Sequence, residues 1–173
     1  MITAKQLAII AIFAKESLIM TYTPLLAKYM CEHEINNKYR KSAFIGTIIH
    51  ESGSFNYTKE IASGMAYEGR KDLGNIYAGD GVRYKGRGLI QITGRTNYQL
   101  VSDAFGVDFI ANPELLEQPE WATAVSAWWW QNAGLNEIAD TKDFRRVTRR
   151  VNGGYNGMSD RQKWYDRALK VLT

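Results

Sequence analysis

A histidine and a glutamate lie where a strongly apolar segment stops, in the stretch TIIHESGSFN at residues 47–56. Phe44, Ile48 and Glu51 follow an i, i+4, i+7 spacing, so Glu51 is predicted on the same helix face as core residues. Gly53 then ends the helix. Partial burial and the negative end of the helix dipole both favour a protonated carboxyl, the form that a general acid needs. An ordinary surface glutamate at a helix end is the alternative interpretation.

A general acid that cleaves a glycosidic bond commonly works with a second carboxylate. That group is either a nucleophile about 5 Å from the acid or a base about 6.5–9.5 Å away, with room for a water molecule. The candidates in the following segment are Glu60, Glu68, Asp72 and Asp80. Spacing alone does not rank these four residues, and most acidic loop residues are simply solvated.

The segment that carries these acids is rich in glycine, with glycines at positions 53, 64, 69, 74, 79, 81, 86 and 88. They interrupt every candidate helix, so residues 53–88 are predicted to form a long irregular loop region. Four tyrosines in this segment favour an ordered loop, and long ordered loops in compact domains are usually functional. We therefore predict that the segment forms one wall of a cleft.

Helical periodicity dominates the rest of the chain, so helices must position these residues. A capping-box pattern at Thr3 predicts a first helix over about residues 4–20. The proline at position 24 predicts the start of a second helix, because proline is tolerated at the first helical position. A third helix should span about residues 38–51. A second capping-box pattern, at Ser159, predicts the start of the last helix.

Composition limits the classes of protein and site. A length of 173 residues with 45% hydrophobic content predicts a single domain over residues 1–173. One cysteine, Cys31, excludes an intrachain disulfide, and with two histidines the ligands are too few for a Cys/His zinc site, so we expect no metal. No stretch approaches the roughly 18 apolar residues of a membrane span, and no signal-peptide pattern is present, so we expect no membrane insertion.

The charge of the chain favours an acidic partner. The formal net charge is +4 and the isoelectric point is about 9.1, which fits nucleic acid, an anionic cell envelope or an acidic glycan. The arginines at positions 145, 146, 149 and 150 are the best argument for nucleic acid. No recognisable nucleic-acid motif accompanies them, so we interpret this segment as a helix that contacts acidic groups lining a cleft.

Five separated strings, HESGSF, YKGRGLIQITGRTNY, NPELL, AWWWQ and RRVNGGYNG, share an order with one known family. The chain resembles the glycoside hydrolase family 19 catalytic domain, in particular its phage endolysin (chitinase-like lysozyme) branch, from about Ala43 to the C-terminus. The resemblance implies a mainly α, lysozyme-like, two-lobed helical domain with a substrate cleft. It also implies cleavage of β-1,4 links next to N-acetylated amino sugars with inversion, without metal or organic cofactor.

The resemblance assigns roles to individual residues. The glutamate of the family's HE(S/T) motif is the general acid and corresponds to Glu51. The spacing HESGxFxxxxE places the general base at Glu60, which we prefer to Glu68. The residues expected to contact substrate are His50, Tyr84, Gln91, Thr93, Asn97 and Asn152.

The leading hypothesis is an endolysin that hydrolyses the β-1,4 glycan backbone of bacterial peptidoglycan as an N-acetylmuramidase. Glu51 would protonate the glycosidic oxygen, while Glu60, helped by Thr93, would deprotonate the attacking water. The alternatives are a chitinase acting on N-acetylglucosamine polymers and a non-catalytic wall- or nucleic-acid-binding module.

We expect a monomer that binds peptidoglycan strands and not nucleic acid. We expect it to be made in a bacterial cytoplasm without a signal peptide and to reach the wall or periplasm after a separate partner permeabilises the membrane.

Overall fold

The computed structural model describes all 173 residues and is almost entirely helical. The nine α-helices are α1 (Ala4–Ile10), α2 (Glu16–Glu32), α3 (Lys38–Glu51), α4 (Asp80–Arg83), α5 (Arg95–Phe105), α6 (Pro119–Asn132), α7 (Leu135–Asp140), α8 (Phe144–Asn152) and α9 (Met158–Val171). Short 3-10 helices span Met65–Tyr67, Lys71–Leu73 and Pro113–Glu117. The prediction of a mainly α fold is confirmed. None of the helices combines the length and the apolar character needed to cross a membrane.

Two hydrophobic clusters form the cores of two lobes. The larger contains 29 buried residues, drawn mainly from α1 to α3, α6 and α9. The smaller contains seven, among them Tyr98 and Val101 of α5. Helix α6 contributes to both, because Trp130 packs edge-on against Phe44 in the larger cluster, with ring centroids 5.3 Å apart, while Val125 belongs to the smaller. The two lobes therefore share α6.

Helix α3 is central to the larger lobe. It begins after Asn37, whose side chain accepts hydrogen bonds from two backbone N–H groups of the first turn, and every residue from Ser42 to Ile49 is buried. Gly46 allows α9 to approach, since a Cβ at this position would lie 2.9 Å from the backbone nitrogen of Tyr165. The predicted third helix is confirmed, and its C-terminal end is held against α9.

The predicted helix over residues 4–20 is wrong in its extent, because α1 ends at Ile10 and α2 begins at Glu16. The chain turns between them, which buries Ala11 and brings the ring of Phe13 against the edge of Trp164 in α9, with centroids 5.7 Å apart. These contacts lie far apart along the chain, and they override a local pattern that favours a continuous helix.

The predicted helix start at Pro24 is also wrong, since α2 continues through this residue to Glu32. Pro24 is exposed, so the backbone hydrogen bond that it cannot make is lost on the solvent side of the helix. Tyr22 and Leu26 on the opposite side are buried in the larger cluster. The predicted cap at Ser159 lies inside α9, whose N-cap is Gly157 in a left-handed conformation.

The glycine-rich segment is irregular, as predicted, with only α4 and two 3-10 helices between residues 53 and 88. Isolated antiparallel bridges join Lys59 to Arg87 and Arg87 to Ile92. Through them residues 58–60 lie beside a tight hairpin at residues 86–92, and the N–H of Glu60 donates to the carbonyl of Gly86 at 2.9 Å. This pairing fixes the backbone of one candidate carboxylate.

Candidate active site

Glu51 is the last residue of α3, and its carboxylate is paired with an arginine of α9. Its Oε1 lies 2.6 Å from Nη1 of Arg161, and the Arg161 side chain is only 4% exposed, whereas that of Glu51 is 21% exposed. The Nε of Arg161 donates to the carbonyl of Asn156 at 3.1 Å, which orients the guanidinium. Glu51 is therefore a partly accessible carboxylate at a fixed position. The cation beside Glu51 comes from a helix distant along the chain, and the local pattern at the end of α3 does not indicate it.

The neighbouring His50 is held by a second pair of contacts between the same helices. Its Nδ1 lies 2.7 Å from Oδ2 of Asp160, and the indole N–H of Trp164 donates to the same oxygen at 3.0 Å. Burial alone would raise the pKa of Asp160, but the hydrogen bonds from His50 and Trp164 outweigh it and hold the pKa below its ordinary value. The other edge of the imidazole faces Gly157, where a Cβ would lie 2.8 Å from the ring. His50 is thus held on two sides, remains partly exposed and helps to position the end of α3.

Glu60 lies in a cradle of neutral hydrogen-bond donors. The hydroxyl of Tyr67 donates to Oε1 at 3.0 Å, and the N–H of Gly86 donates to Oε2 at 3.0 Å. Burial, followed by the hydrogen bond to Glu60, raises the pKa of Tyr67 above its ordinary value, so this hydroxyl remains a donor. A carboxylate held by neutral donors can still accept a proton, which suits a general base.

The other three candidate acids hold the loop region together. Glu68 accepts hydrogen bonds from two loop N–H groups, at 2.6 and 2.8 Å. Asp72 pairs with a neighbouring arginine of the same segment. Asp80 is only 2% exposed and pairs with Arg95 of α5. Glu60 differs from these three in its position, because it lies beside Gly86 and the side chain of Gln91 in the hairpin, and the geometry therefore favours it.

Three of the expected substrate-contacting residues form a chain of hydrogen bonds beside Glu60. Gln91 has a φ of 59°, and its Oε1 lies 2.6 Å from the position that a Cβ on Gly86 would occupy. The hydroxyl of Thr93 donates to the Gln91 carbonyl at 2.9 Å, and the amide of Asn97 donates to the Thr93 carbonyl at 2.7 Å. The hairpin therefore brings the side chain of Gln91 next to the candidate base, and the hydrogen bonds of Thr93 and Asn97 hold the backbone that follows it.

The remaining two expected contacts differ in their placement. Tyr84 is 1% exposed, its hydroxyl donates to the carbonyl of Ile110 at 3.2 Å, and its ring packs against Tyr98 in the smaller core. This position does not fit the expected contact with substrate, because the ring is needed to fill the core. Asn152 ends α8, and its side-chain NH2 is buried without a hydrogen-bond partner. A buried donor without a partner is costly and suits a site that binds a ligand.

Sequence reasoning missed Arg161 and Asp160, the two residues of α9 that hold Glu51 and His50. A signal for Arg161 exists, because it shares an i, i+3, i+7 spacing with Trp164 and Ala168, which are buried. A charged residue on an apolar helix stripe needs a buried partner of opposite charge. The sequence alone does not indicate which carboxylate that partner is. No group of three or more His, Cys, Asp or Glu side chains comes together in a metal-binding arrangement.

Two carboxylates thus lie in different surroundings, on different parts of the fold. Glu51 ends a buried helix beside a cation, and Glu60 lies on an extended segment among neutral donors. Inverting glycoside hydrolysis uses a pair of carboxylates, one as acid and one as base, and Glu51 and Glu60 are the pair that the motif spacing predicts.

Comparison with known sequences identifies relatives of this chain. The sequence profile of the family described as Chitinase class I (glycoside hydrolase 19) matches residues 28–142, which include both carboxylates. A glycosyl hydrolase family 19 domain-containing protein of Haemophilus influenzae is 31% identical over an alignment of 166 positions, covering 78% of this chain and 80% of that protein. Endochitinase At2g43620 of Arabidopsis thaliana is 32% identical over 120 positions, covering 65% of this chain but 38% of the plant protein.

Solved structures share the fold. Chitinase C from Streptomyces griseus HUT6037 superposes with a TM-score of 0.77 at 23% identity, covering 99% of this chain and 93% of that one. A class IV chitinase of family 19 from Zea mays gives a TM-score of 0.66 at 23% identity, with coverage of 91% and 82%. Identities this low show the fold alone, whereas the profile matches more than half of the chain. The expected family is confirmed: this chain belongs to glycoside hydrolase family 19 and is a glycoside hydrolase.

Proposed function

We propose that the protein hydrolyses the β-1,4 glycan backbone of bacterial peptidoglycan as an endolysin, by inversion. The observation that carries the acid–base part of this proposal is that Glu51 and Glu60 are both partly exposed carboxylates held at fixed positions, by Arg161 and by Tyr67 with Gly86 respectively. Family membership supports a polysaccharide substrate. The net charge of +4 favours an anionic wall polymer over neutral chitin.

In the proposed mechanism, Glu51 donates its proton to the glycosidic oxygen as the bond to the anomeric carbon breaks. Glu60 takes a proton from a water molecule, whose oxygen attacks that carbon from the opposite face, so the configuration is inverted. The carboxylate left on Glu51 is stabilised by Arg161, 2.6 Å away. Gln91, which lies beside Glu60, and Thr93, which follows it in the chain, would hold the water and the sugar.

Chitin is the second candidate substrate, because a curated plant relative is named an endochitinase. The two substrates share the linkage and the N-acetyl group, and they differ in the lactyl ether and peptide stems of the wall polymer. A direct comparison of cleavage on both polymers therefore separates the two proposals.

The decisive experiment is mass spectrometry of the fragments released from purified peptidoglycan and, in parallel, from chitin oligomers. We expect the wild type to release fragments with reducing N-acetylmuramic acid ends, and Glu51→Gln to lose at least about 100-fold in rate. Glu32→Gln is the matched control, since Glu32 also ends a helix but is exposed and unpaired.

Each outcome of this experiment has one meaning. Cleavage of chitin alone would move the assignment to a chitinase. Full activity of Glu51→Gln would exclude Glu51 as the acid. The anomeric configuration of the first product, followed by NMR, tests inversion, and a β-anomer would contradict the single-displacement mechanism.

We extend the proposal to the setting in which the enzyme acts. Residues 1–173 would act as one monomeric catalytic domain, which the sharing of α6 between the two hydrophobic clusters supports. The enzyme would accumulate in a bacterial cytoplasm and reach the wall once a separate partner permeabilises the membrane. Producing it inside cells of a Gram-negative bacterium should cause lysis only after chloroform treatment, and lysis without chloroform would contradict this part.

A further inference from the structure

Helix α8 presents an exposed, uncompensated basic surface. Within Phe144–Asn152 there are four arginines and no acidic residue, and all four are exposed. None of them is among the arginines that form ion pairs. At about 100° per residue they cover an arc of roughly 140° on one side of the helix. This surface, the α8 arginine face, consists of Arg145, Arg146, Arg149 and Arg150.

Two of these side chains are already oriented. The guanidinium of Arg145 lies 4.7 Å from the ring centroid of Tyr155, and the Nε of Arg150 donates to the carbonyl of Ala133 at 3.1 Å. Neither contact neutralises a charge. Because these side chains are partly ordered before binding, less conformational entropy is lost when an anion binds.

The acidic groups nearby are too few to cancel this charge. Asp143 caps the start of α8 through backbone N–H groups. Asp166 lines an adjoining pocket of about 500 Å³, together with Arg145 and Lys163. Five cations therefore face two carboxylates around this surface, and the local charge remains positive.

The α8 arginine face continues into the candidate active site. Helix α8 ends at Asn152, whose buried NH2 has no partner. The next residues lead to Gly157, which meets the ring of His50, and then to Arg161, which pairs with Glu51. The last arginines of the face are thus within one helical turn of Asn152, which the resemblance implies as a substrate contact. A long polymer bound across the site would pass this surface.

We propose that the α8 arginine face is a second binding surface for the polymer whose backbone is cleaved, and that it recognises carboxylates carried along an anionic glycan. This inference rests on the proposed function for the identity of the polymer. Neutral chitin offers no charge to this surface. Nucleic acid offers phosphates, but only a glycan would engage the cleft and the face together.

The test measures binding of catalytically inactive protein to purified peptidoglycan sacculi free of teichoic acid, by sedimentation at low and high salt. The background variant is Glu51→Gln, so the sacculi stay intact. Arg145, Arg146 and Arg149 are replaced by glutamine, and Arg150 is kept because it also hydrogen-bonds Ala133. We expect about ten-fold weaker binding at low salt, since each exposed ion pair contributes a factor of about two to three, and a smaller difference at high salt.

The matched control removes the same charge elsewhere, by replacing three exposed and unpaired lysines with glutamine: Lys5, Lys15 and Lys38. We expect this variant to bind sacculi as the background protein does. An equal loss in the control would overturn the proposal, because net charge alone would then explain the binding. Thermal unfolding of each variant checks that the fold is retained.

Binding to two other solid materials, chitin beads and DNA-cellulose, completes the test. On chitin beads the arginine variant should lose no more than about two-fold, so an equal ten-fold loss there would overturn the recognition of carboxylates. Retention on DNA-cellulose at a salt concentration that releases the protein from sacculi would overturn it in favour of nucleic acid.

Fragment release by the wild type is a separate readout. If fragments appear and the arginine variant binds normally, only this inference fails; if binding depends on the arginines and no fragments appear, only the proposed function fails.

Discussion

Carboxylates of the same chemistry differ in role because their immediate neighbours differ. Glu51 meets a buried guanidinium, and Glu60 meets a tyrosine hydroxyl and a backbone N–H group. Glu68 accepts two backbone N–H groups within the loop region and braces it. At the scale of the residue, what distinguishes Glu60 from Glu68 is its position beside Gly86 and Gln91, where the other expected substrate contacts begin.

Substitution of the two loop glutamates separates these roles. We expect Glu60→Gln to lower kcat by about 10²- to 10⁴-fold, because an amide cannot take a proton from water. Glu68→Gln should instead lower the free energy of unfolding by about 1 kcal/mol and keep kcat within about ten-fold. Glycan cleavage rates and urea unfolding of both variants provide the measurements. The reverse pattern would move the base to Glu68.

At the scale of the element, the site depends on how two helices cross. Helices α3 and α9 run antiparallel, as the contacts of Gly46 with Tyr165 and of Glu51 with Arg161 show. The close approach at Gly46 lets two consecutive polar residues at the end of α3, His50 and Glu51, pair with two consecutive residues of α9. A glycine in mid-helix, which costs about 1 kcal/mol in helix propensity, is thus explained by a tertiary contact.

Gly46→Ala tests this account of the helix crossing. Propensity alone predicts stabilisation, but the new Cβ would lie 2.9 Å from backbone atoms of α9 that cannot move independently. We expect a loss of about 1–3 kcal/mol in the free energy of unfolding and a lower kcat, because Arg161 shifts relative to Glu51. Gly154→Ala, whose Cβ would meet nothing closer than 3.9 Å, serves as the control. A more stable, fully active Gly46→Ala would contradict the close packing.

At the scale of the whole molecule, buried and partly buried ion pairs join elements that are distant in sequence. The hydrogen-bonded guanidinium of Arg95 holds the pKa of Asp80 below its ordinary value, against the opposing effect of burial, and so ties α4 to α5. Arg95 also lies between the rings of Tyr77 and Tyr84, at 4.8 and 4.7 Å. The smaller lobe is therefore held partly by charge.

This arrangement predicts loss of stability in acid. Because the folded pKa of Asp80 is depressed, its contribution is complete above the unfolded value of about 3.9 and is lost as the pH falls through the folded pKa. Urea unfolding should show falling stability below about pH 4. Asp80→Asn should cost about 3 kcal/mol at pH 7, where Arg95 is left without its partner, and should weaken the acid dependence.

Asp72→Asn is the control for this prediction. Asp72 also has a depressed pKa, because of its hydrogen bond from Arg70, but its side chain is 62% exposed. Solvent screens such a pair, so we expect little change in stability at any pH. Equal effects of the two substitutions on the free energy of unfolding would show that burial of the Asp80–Arg95 pair contributes nothing to stability.

The sequence by itself determined the helical class, the bounds of α3 and the position of Glu51 at its end. These features follow from local periodicity, caps and glycine, which act over a few residues. The strings around Glu51 and Gln91 also indicated the family, which the profile match confirmed. The ranking of Glu60 over Glu68 is a sequence prediction that the geometry favours and that the substitutions above will test.

Only the tertiary structure decided the features that depend on partners distant along the chain. These are the turn after Ile10, the passage of α2 through Pro24, the burial of Tyr84 and the pairing of Glu51 with Arg161, whose sequence positions differ by 110. Local propensities differ by about 1 kcal/mol per residue, whereas burying one large side chain contributes about 1.5–3 kcal/mol. Packing therefore overrides the local signal wherever the two conflict, and it brings the arginine of one helix to the carboxylate at the end of another.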